Sequence, residues 1–373
     1  MTHVENVQIT PVRVPLEKPM SAAGKTFAYR DYLLVELTCS DGSGGIGFSY
    51  VGTGGGRAAA MAAEELLVPV VIGEDPAGIT LIWDRMYHST IIQGRAGLLM
   101  NGLSAIDIAL WERNARAAGM PLYRYLGGNG KQRTVPAYAS GGYYAAGKGL
   151  DELAEEINTY KALGFTAVKI KTGRLSVNEE EERIRLVREI IGSDGLLLLD
   201  FYNAWNNISA ALPYIHMAQR YNPFWIEDPF MPYDLENYIR LAQRIPEPLA
   251  TGEFHFGLHE FKQIITTGAA TIIQAEAPRC GGITEWQRIA ALASAYGTMV
   301  SPCWFHQLHA HLLPSIPNGL FVEYFPDNSI LNFGCLIDSD YDVENGAIIL
   351  PQGDGIGFRF IPEAVAEYRL PEK

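Results

Sequence analysis

Two lysines and three acids stand at the ends of successive apolar runs in the middle of this chain. Val168-Lys169-Ile170-Lys171 comes first, followed by Leu196-Leu197-Leu198-Leu199-Asp200, Phe224-Trp225-Ile226-Glu227 and Leu249-Ala250-Thr251-Gly252-Glu253. Residues two apart on a strand point the same way, so Lys169 and Lys171 share a face opposite Val168 and Ile170. Adjacent ammonium groups lower each other's pKa, and a divalent cation lowers both further, which would make a lysine available as a general base. Asp200, Glu227 and Glu253, with no His or Cys partner, suit a hard cation, Mg²⁺ above all. Each feature alone has a plainer reading: lysines snorkelling from a strand edge, acids capping helices or pairing locally. In register at successive strand ends they read as a base beside a carboxylate-held metal.

The spacing of these runs, roughly one strand plus one helix with its loops, indicates what positions them. Strands are expected over 135–139, 167–171, 196–200, 224–227, 249–253, 271–274, 298–301 and 320–323, with helices between them and none evident after the last. This is the pattern of an α/β protein with a TIM-type (β/α) barrel, in the variant (β/α)7β, whose active site forms at the C-terminal ends of the strands. A doubly wound open sheet fits less well, because functional-looking residues recur at nearly every strand end. Before the barrel (134–339) lies a stretch of strands followed by helices (1–133), read as a separate α+β domain. After it, 340–373 carries Gly353-Asp354-Gly355-Ile356-Gly357-Phe358 and a short helix, and is expected to pack back on the first domain.

A chain of 373 residues, 48% hydrophobic and 19% charged, suits a globular protein rather than a disordered one. Its formal net charge of −13 disfavours nucleic acid as a partner. Cys39, Cys280, Cys303 and Cys335 are scattered, which argues against a zinc site or a disulfide framework. No apolar run is as long as a membrane span, and Met1-Thr2-His3-Val4 does not open a signal peptide, so a cytoplasmic setting is expected.

Lys169-Ile170-Lys171, Leu199-Asp200, Trp225-Ile226-Glu227-Asp228-Pro229, Ala250-Thr251-Gly252-Glu253 and Arg279-Cys280-Gly281-Gly282-Ile283-Thr284 together resemble the enolase superfamily, in its mandelate racemase subgroup. The resemblance runs over essentially the whole chain, and Ser104-Ala105-Ile106-Asp107-Ile108-Ala109-Leu110-Trp111 is similar to a helix of that family's capping domain. It implies a small-molecule carboxylate substrate held at Mg²⁺, loss of its α-proton, and an enediolate intermediate. By the same resemblance Asp200, Glu227 and Glu253 are the metal ligands, Lys171 is the base, Lys169 assists at the substrate carboxylate, and Glu323 hydrogen-bonds it. Homo-oligomers, dimers or octamers, are implied as well. In the capping domain, the loops around Ser21 to Tyr29 and Tyr50 to Arg57 would close over the substrate, with Phe27 and Tyr50 as contacts. Tyr202 stands where the family commonly has Asn.

The departures bear on the reaction. The family's strand-six Asp and strand-seven His, a dyad facing the lysine, read here as Glu276 and Cys303. Cys303 and the nearby His306 are therefore the candidates for a second acid or base; His309 and His311 suit packed helix positions, and His255 is close enough in sequence to reach the site. Dehydration of a sugar acid needs only Lys171 and a proton donor for the departing hydroxide. A racemase, epimerase or cycloisomerase is the alternative, and a non-catalytic binding barrel is a more distant one.

Overall fold

The computed structural model describes residues 2–22 and 25–371. The chain opens with an antiparallel sheet, β1 (Val4–Ala22), β2 (Lys25–Cys39) and β3 (Gly44–Gly52), in sequential order. Strands β1 and β2 pair out to Ala22 and Lys25, well past Val14, where the sequence pattern fades. The reason is Pro11, Pro15 and Pro19, which interrupt the alternation and shift the register between Pro15 and Met20 without ending the hairpin. Most of the expected loop at 21–29 is thus strand; Ala23 and Gly24 lie outside the described residues.

This sheet packs on the helix Leu98–Ala117, which is buried along most of its length. The approach depends on glycine: a Cβ on Gly47 would meet the Ala105 carbonyl oxygen at 2.0 Å. Two helices follow the sheet, Gly56–Leu66 and Val68–Val71, separated where Pro69 cannot donate to the preceding turn.

Eight parallel strands follow: β4 (Thr134–Gly141), β5 (Ala167–Lys171), β6 (Leu196–Asp200), β7 (Pro223–Glu227), β8 (Leu249–Thr251), β9 (Ile272–Ile273), β10 (Met299–Val300) and β11 (Val322–Tyr324). Each pairs with the next from β4 to β10. β11 pairs with β4, and a bridge from Val300 to Gly319 closes the ring. Between β11 and the tail the described residues form the 3-10 turns Asn328–Ile330 and Gly334–Leu336 in place of an eighth barrel helix, so the barrel has the (β/α)7β form. Alternation sorts the side chains. Tyr138, Ala167, Leu198, Trp225, Ala250 and Ile272 fill the barrel floor, while Val168, Ile170, Leu197, Leu199 and Ile226 pack outward with the main core. On β5 that parity puts Lys169 and Lys171 above Ala167, facing in.

In the tail, β12 (Val343–Glu344) and β13 (Ala347–Ile349) form a hairpin that pairs antiparallel with the start of β4. Further on, Leu122 N donates to Gly355 O (2.7 Å) and Leu370 N to Pro11 O (2.9 Å), so the last residues touch the first domain.

The helix Leu98–Ala117 also clamps the barrel. Asp107, fully buried, accepts from Thr284 N (3.0 Å) and Thr284 Oγ1 (2.6 Å) in the first turn of the helix Gly282–Ala295. Burial pushes its carboxyl up to about 7, against those hydrogen bonds. The folded state therefore holds this proton more tightly than the unfolded chain does. The resulting stabilisation is complete below the ordinary carboxylate range and is lost as pH rises through that value. Relative to Asp107→Asn, the unmodified protein is expected to lose stability to urea between about pH 4 and 7, with a constant difference above. Parallel pH profiles for the two proteins would contradict this.

Candidate active site

The predicted lysines and acids converge at the C-terminal mouth of the barrel. Lys169 Nζ lies 2.7 Å from Glu227 Oε1, 2.7 Å from Glu323 Oε1 and 3.6 Å from Asp200 Oδ2. Lys171 Nζ makes a very short ion pair with Asp200 Oδ2. Its ammonium also sits 5.1 Å from the Tyr202 ring centre and 5.3 Å from that of Tyr143. All of the charged members are essentially buried.

Glu227 and Asp200 arrive by simple strand parity; Glu253 does not. Ala250 faces in, so strict alternation along β8 would send Glu253 outward. The strand ends at Thr251 rather than continuing to 253, and Gly252 takes φ +147° and turns the chain. A Cβ there would lie 2.8 Å from the Gln274 carbonyl carbon. Gly252→Ala is therefore expected to cost about 1–3 kcal/mol of stability in strain and to weaken divalent-cation binding by misplacing Glu253. Urea melts and calorimetric Mg²⁺ titration measure the two effects; unchanged values would refute the role given to this turn. Strain gathers at the other strand ends too: Tyr202, Asn203, Asp228 and Trp304 all have positive φ.

Other groups hold the acids in place. Trp225 Nε1 donates to Glu227 Oε2 (3.0 Å) and Tyr202 N to Asp200 Oδ1 (2.9 Å). Trp304 contributes twice, through Nε1 to Glu253 Oε2 (2.7 Å) and through its backbone N to Glu323 Oε2 (2.6 Å). Glu253 Oε1 is buried with no hydrogen-bond partner among the described residues.

The electrostatics differ from the sequence expectation in one respect. Burial pulls Lys169 and Lys171 down, but the carboxylates outweigh it: Glu227 and Glu323 for Lys169, Asp200 for Lys171. Both lysines lie well above their usual range. Like-charge repulsion, the basis of the expected lowering, is a minor effect when each ammonium has its own counter-ions. Burial also opposes ionisation of Asp200, yet Lys171 and Lys169 bring it down to about 2. Glu227, Asp228 and Glu253 are pushed up, first by burial and then by neighbouring carboxylates. Two ammonium groups do not balance this many acids.

That imbalance is the test of whether a cation fits. Among the described residues, no three His, Cys, Asp or Glu side chains already converge as a closed cage; the ammonium groups stand between the carboxylates. The donor set is nonetheless all carboxylate oxygen, one of its oxygens is buried without a partner, and its excess negative charge is costly as it stands. Asp200, Glu227 and Glu253 fit a hard divalent cation on those grounds.

Above them lies a cavity of about 170 Å³ between barrel and capping sheet. Tyr202, Glu253, Glu276, Arg279 and Trp304 line it from the barrel, and Phe27, Tyr50 and Thr53 from the first domain. Tyr50 stacks on Trp304 (5.2 Å between centroids), and Phe27 meets Tyr202 edge-on (6.1 Å). Glu276, at the position of the family's strand-six Asp, reaches this cavity. Its Oε2 accepts from Arg279 Nε (3.2 Å), and its Oε1 is buried and unpartnered.

Cys303 is fully buried, outside the cavity lining, with Sγ 3.6 Å from the Gln274 carbonyl oxygen and its pKa driven up by burial. His306 is placed elsewhere. Its Nε2 pairs with Asp340 Oδ1 (2.8 Å), and its ring packs on Tyr324. His255, His309 and His311 are core histidines: burial takes them down to about 4, 3 and 4, and each ring bonds backbone groups. Arg279 and Trp304 received no role from sequence, although the i, i+3 spacing of Glu276 and Arg279 was visible there.

Comparison with known proteins agrees with this architecture. Residues 4–127 match the family described as mandelate racemase / muconate lactonizing enzyme, N-terminal domain, and residues 152–364 match the enolase C-terminal domain-like family. The L-talarate/galactarate dehydratase of Salmonella typhimurium is 30% identical, over 97% of this chain and 90% of that protein. The D-galactarolactone cycloisomerase of Agrobacterium fabrum is 31% identical, over 98% and 100%. A crystal structure of the Salmonella dehydratase, liganded with Mg and L-lyxarohydroxamate, superposes with a TM-score of 0.90 at 28% identity, covering 99% of this chain and 93% of that one. Capping sheet, barrel and sequence matches together make this chain a member of the mandelate racemase / muconate lactonizing enzyme family within the enolase superfamily.

Proposed function

We propose that this protein is a Mg²⁺-dependent dehydratase of sugar acids, which removes the α-proton of a carboxylate substrate and passes through an enediolate. The observation that carries the reading is the buried pairing of two barrel-interior lysines with acids from neighbouring strand ends. Asp200, Glu227 and Glu253 would hold the cation, which when bound would supply positive charge to the substrate carboxylate as negative charge develops there. Lys171 is the base that takes the α-proton, with burial and the adjacent Lys169 ammonium opposing its charged form. Lys169 and Glu323, held 2.7 Å apart, orient the substrate carboxylate and stabilise the enediolate. Tyr50, Phe27, Tyr202 and Trp304 exclude water from the cavity.

The relatives support the substrate class, since their names specify dehydration of talarate, galactarate, arabinonate and rhamnonate. Cycloisomerisation of a sugar-acid lactone is a second reading, favoured by the Agrobacterium relative, which aligns over its full length. Both begin with the same proton loss. Screening acid sugars and their lactones by NMR, with Mg²⁺ or with EDTA, separates them. Formation of 2-keto-3-deoxy acids only with Mg²⁺ supports dehydration; an isomer of unchanged mass indicates the cycloisomerase; inertness toward every acid would sink both.

Among the described residues no helix is long and apolar enough to cross a membrane. A cytoplasmic setting and assembly into dimers or octamers belong to this proposal as well. Exposed Ile92, Leu81 and Met61 on the first domain support self-association, which light scattering would measure.

A further inference from the structure

The geometry points to Glu276 as the acid that protonates the departing hydroxide, with Arg279 as its positioning residue. The inference rests on the dehydratase reading and concerns the face of the site opposite Lys171. Lys171 ends β5, the second strand of the barrel, and Glu276 follows β9, the sixth. Four strands apart in a ring of eight, they stand on opposite sides of the barrel mouth, Glu276 in the cavity lining and Lys171 Nζ 5.1 Å from the ring of Tyr202, which also lines it; an anti elimination needs its base and its acid so placed.

Three observations single out Glu276. It is 1% exposed, yet it lines the substrate cavity. Its Oε1 has no partner among the described residues, whereas Oε2 is fixed by Arg279 Nε at 3.2 Å. Burial pushes its carboxyl up to about 8 against the pull of Arg279, with Glu253 and Glu323 reinforcing the rise, so the group carries its proton at neutral pH. Arg279 cannot take the role itself, because a guanidinium does not release its proton in this range. The Cys303 thiol lies outside the cavity lining, beside the Gln274 carbonyl oxygen.

In the step itself, Lys171 Nζ takes the C2 proton and the C–H electron pair enters the enediolate. Collapse of the enediolate forms the C2–C3 double bond and breaks the C3–O bond. The oxygen leaves with the bonding pair and takes the Glu276 proton, so that water departs. The enol then ketonises with a solvent proton at C3. Lys171 returns its proton to solvent and Glu276 regains one, leaving substrate converted to keto acid and water with no other reactant.

The leaving group provides the test. A carboxylic acid donor contributes about 10²–10⁴-fold to expulsion of hydroxide, whereas fluoride needs no proton to depart. Glu276→Gln, which keeps size and shape, is assayed with an acid sugar that the unmodified enzyme dehydrates and with its 3-fluoro-3-deoxy analogue. The expected result is loss of dehydration by that factor, with fluoride release and calorimetric Mg²⁺ binding retained. Dehydration at the unmodified rate, or equal loss of hydroxide and fluoride elimination, would overturn the acid role. If the unmodified enzyme dehydrates no acid sugar, the dehydratase reading fails, and the role of Glu276 with it.

Discussion

Lys171→Ala is expected to lower turnover by about 10²–10⁴-fold, the range over which a positioned general base acts. The loss should fall on kcat, because Lys171 acts on the proton in flight rather than on binding. Calorimetric Mg²⁺ affinity should survive or rise, since the substitution frees Asp200 Oδ2 from its ammonium partner. Near-normal kcat would remove Lys171 from the mechanism. Loss of Mg²⁺ binding along with activity would mean that the lysine organises the acids rather than the reaction.

Lys169→Met carries the largest expected effect on stability. Its ammonium compensates Glu227 and Glu323 at 2.7 Å and Asp200 at 3.6 Å, in a site with almost no exposure. Removing one partner of a buried ionic group leaves the others uncompensated, at a cost of about 3–5 kcal/mol. That cost should appear in urea denaturation with EDTA present and shrink when Mg²⁺ is added, because a divalent cation offsets the same carboxylates. A penalty indifferent to Mg²⁺ would place the cation somewhere other than among these acids.

Much of this site was legible in sequence, for a physical reason. A charged residue ending an apolar run is expensive to bury, so Lys169, Lys171, Asp200 and Glu227 announced themselves, and strand parity sufficed to aim them inward. Glu253 was found by the same rule but arrives differently, through the positive φ of Gly252, which no period-two pattern encodes. His306 was not legible. Its partner Asp340 lies 34 residues away, and nothing local signals that pairing. The carboxylates raise both lysines above their usual range, and sequence shows the two ammonium groups side by side but not that Glu323, from the far end of the barrel, closes on one of them. The prolines of β1 masked a long hairpin in the same way: local pattern failed, and pairing across the sheet prevailed.

The central claim is that Lys171 removes the α-proton of a sugar acid in the presence of Mg²⁺. Deuterium incorporation in D₂O, followed by NMR, tests it most directly. The unmodified enzyme should place solvent deuterium at C3 of the keto-acid product, and Lys171→Ala should place it there, or at C2 of the substrate, about 10²–10⁴-fold more slowly. Product that retains the substrate's own C2 hydrogen at C3, or incorporation by Lys171→Ala at the unmodified rate, would contradict it.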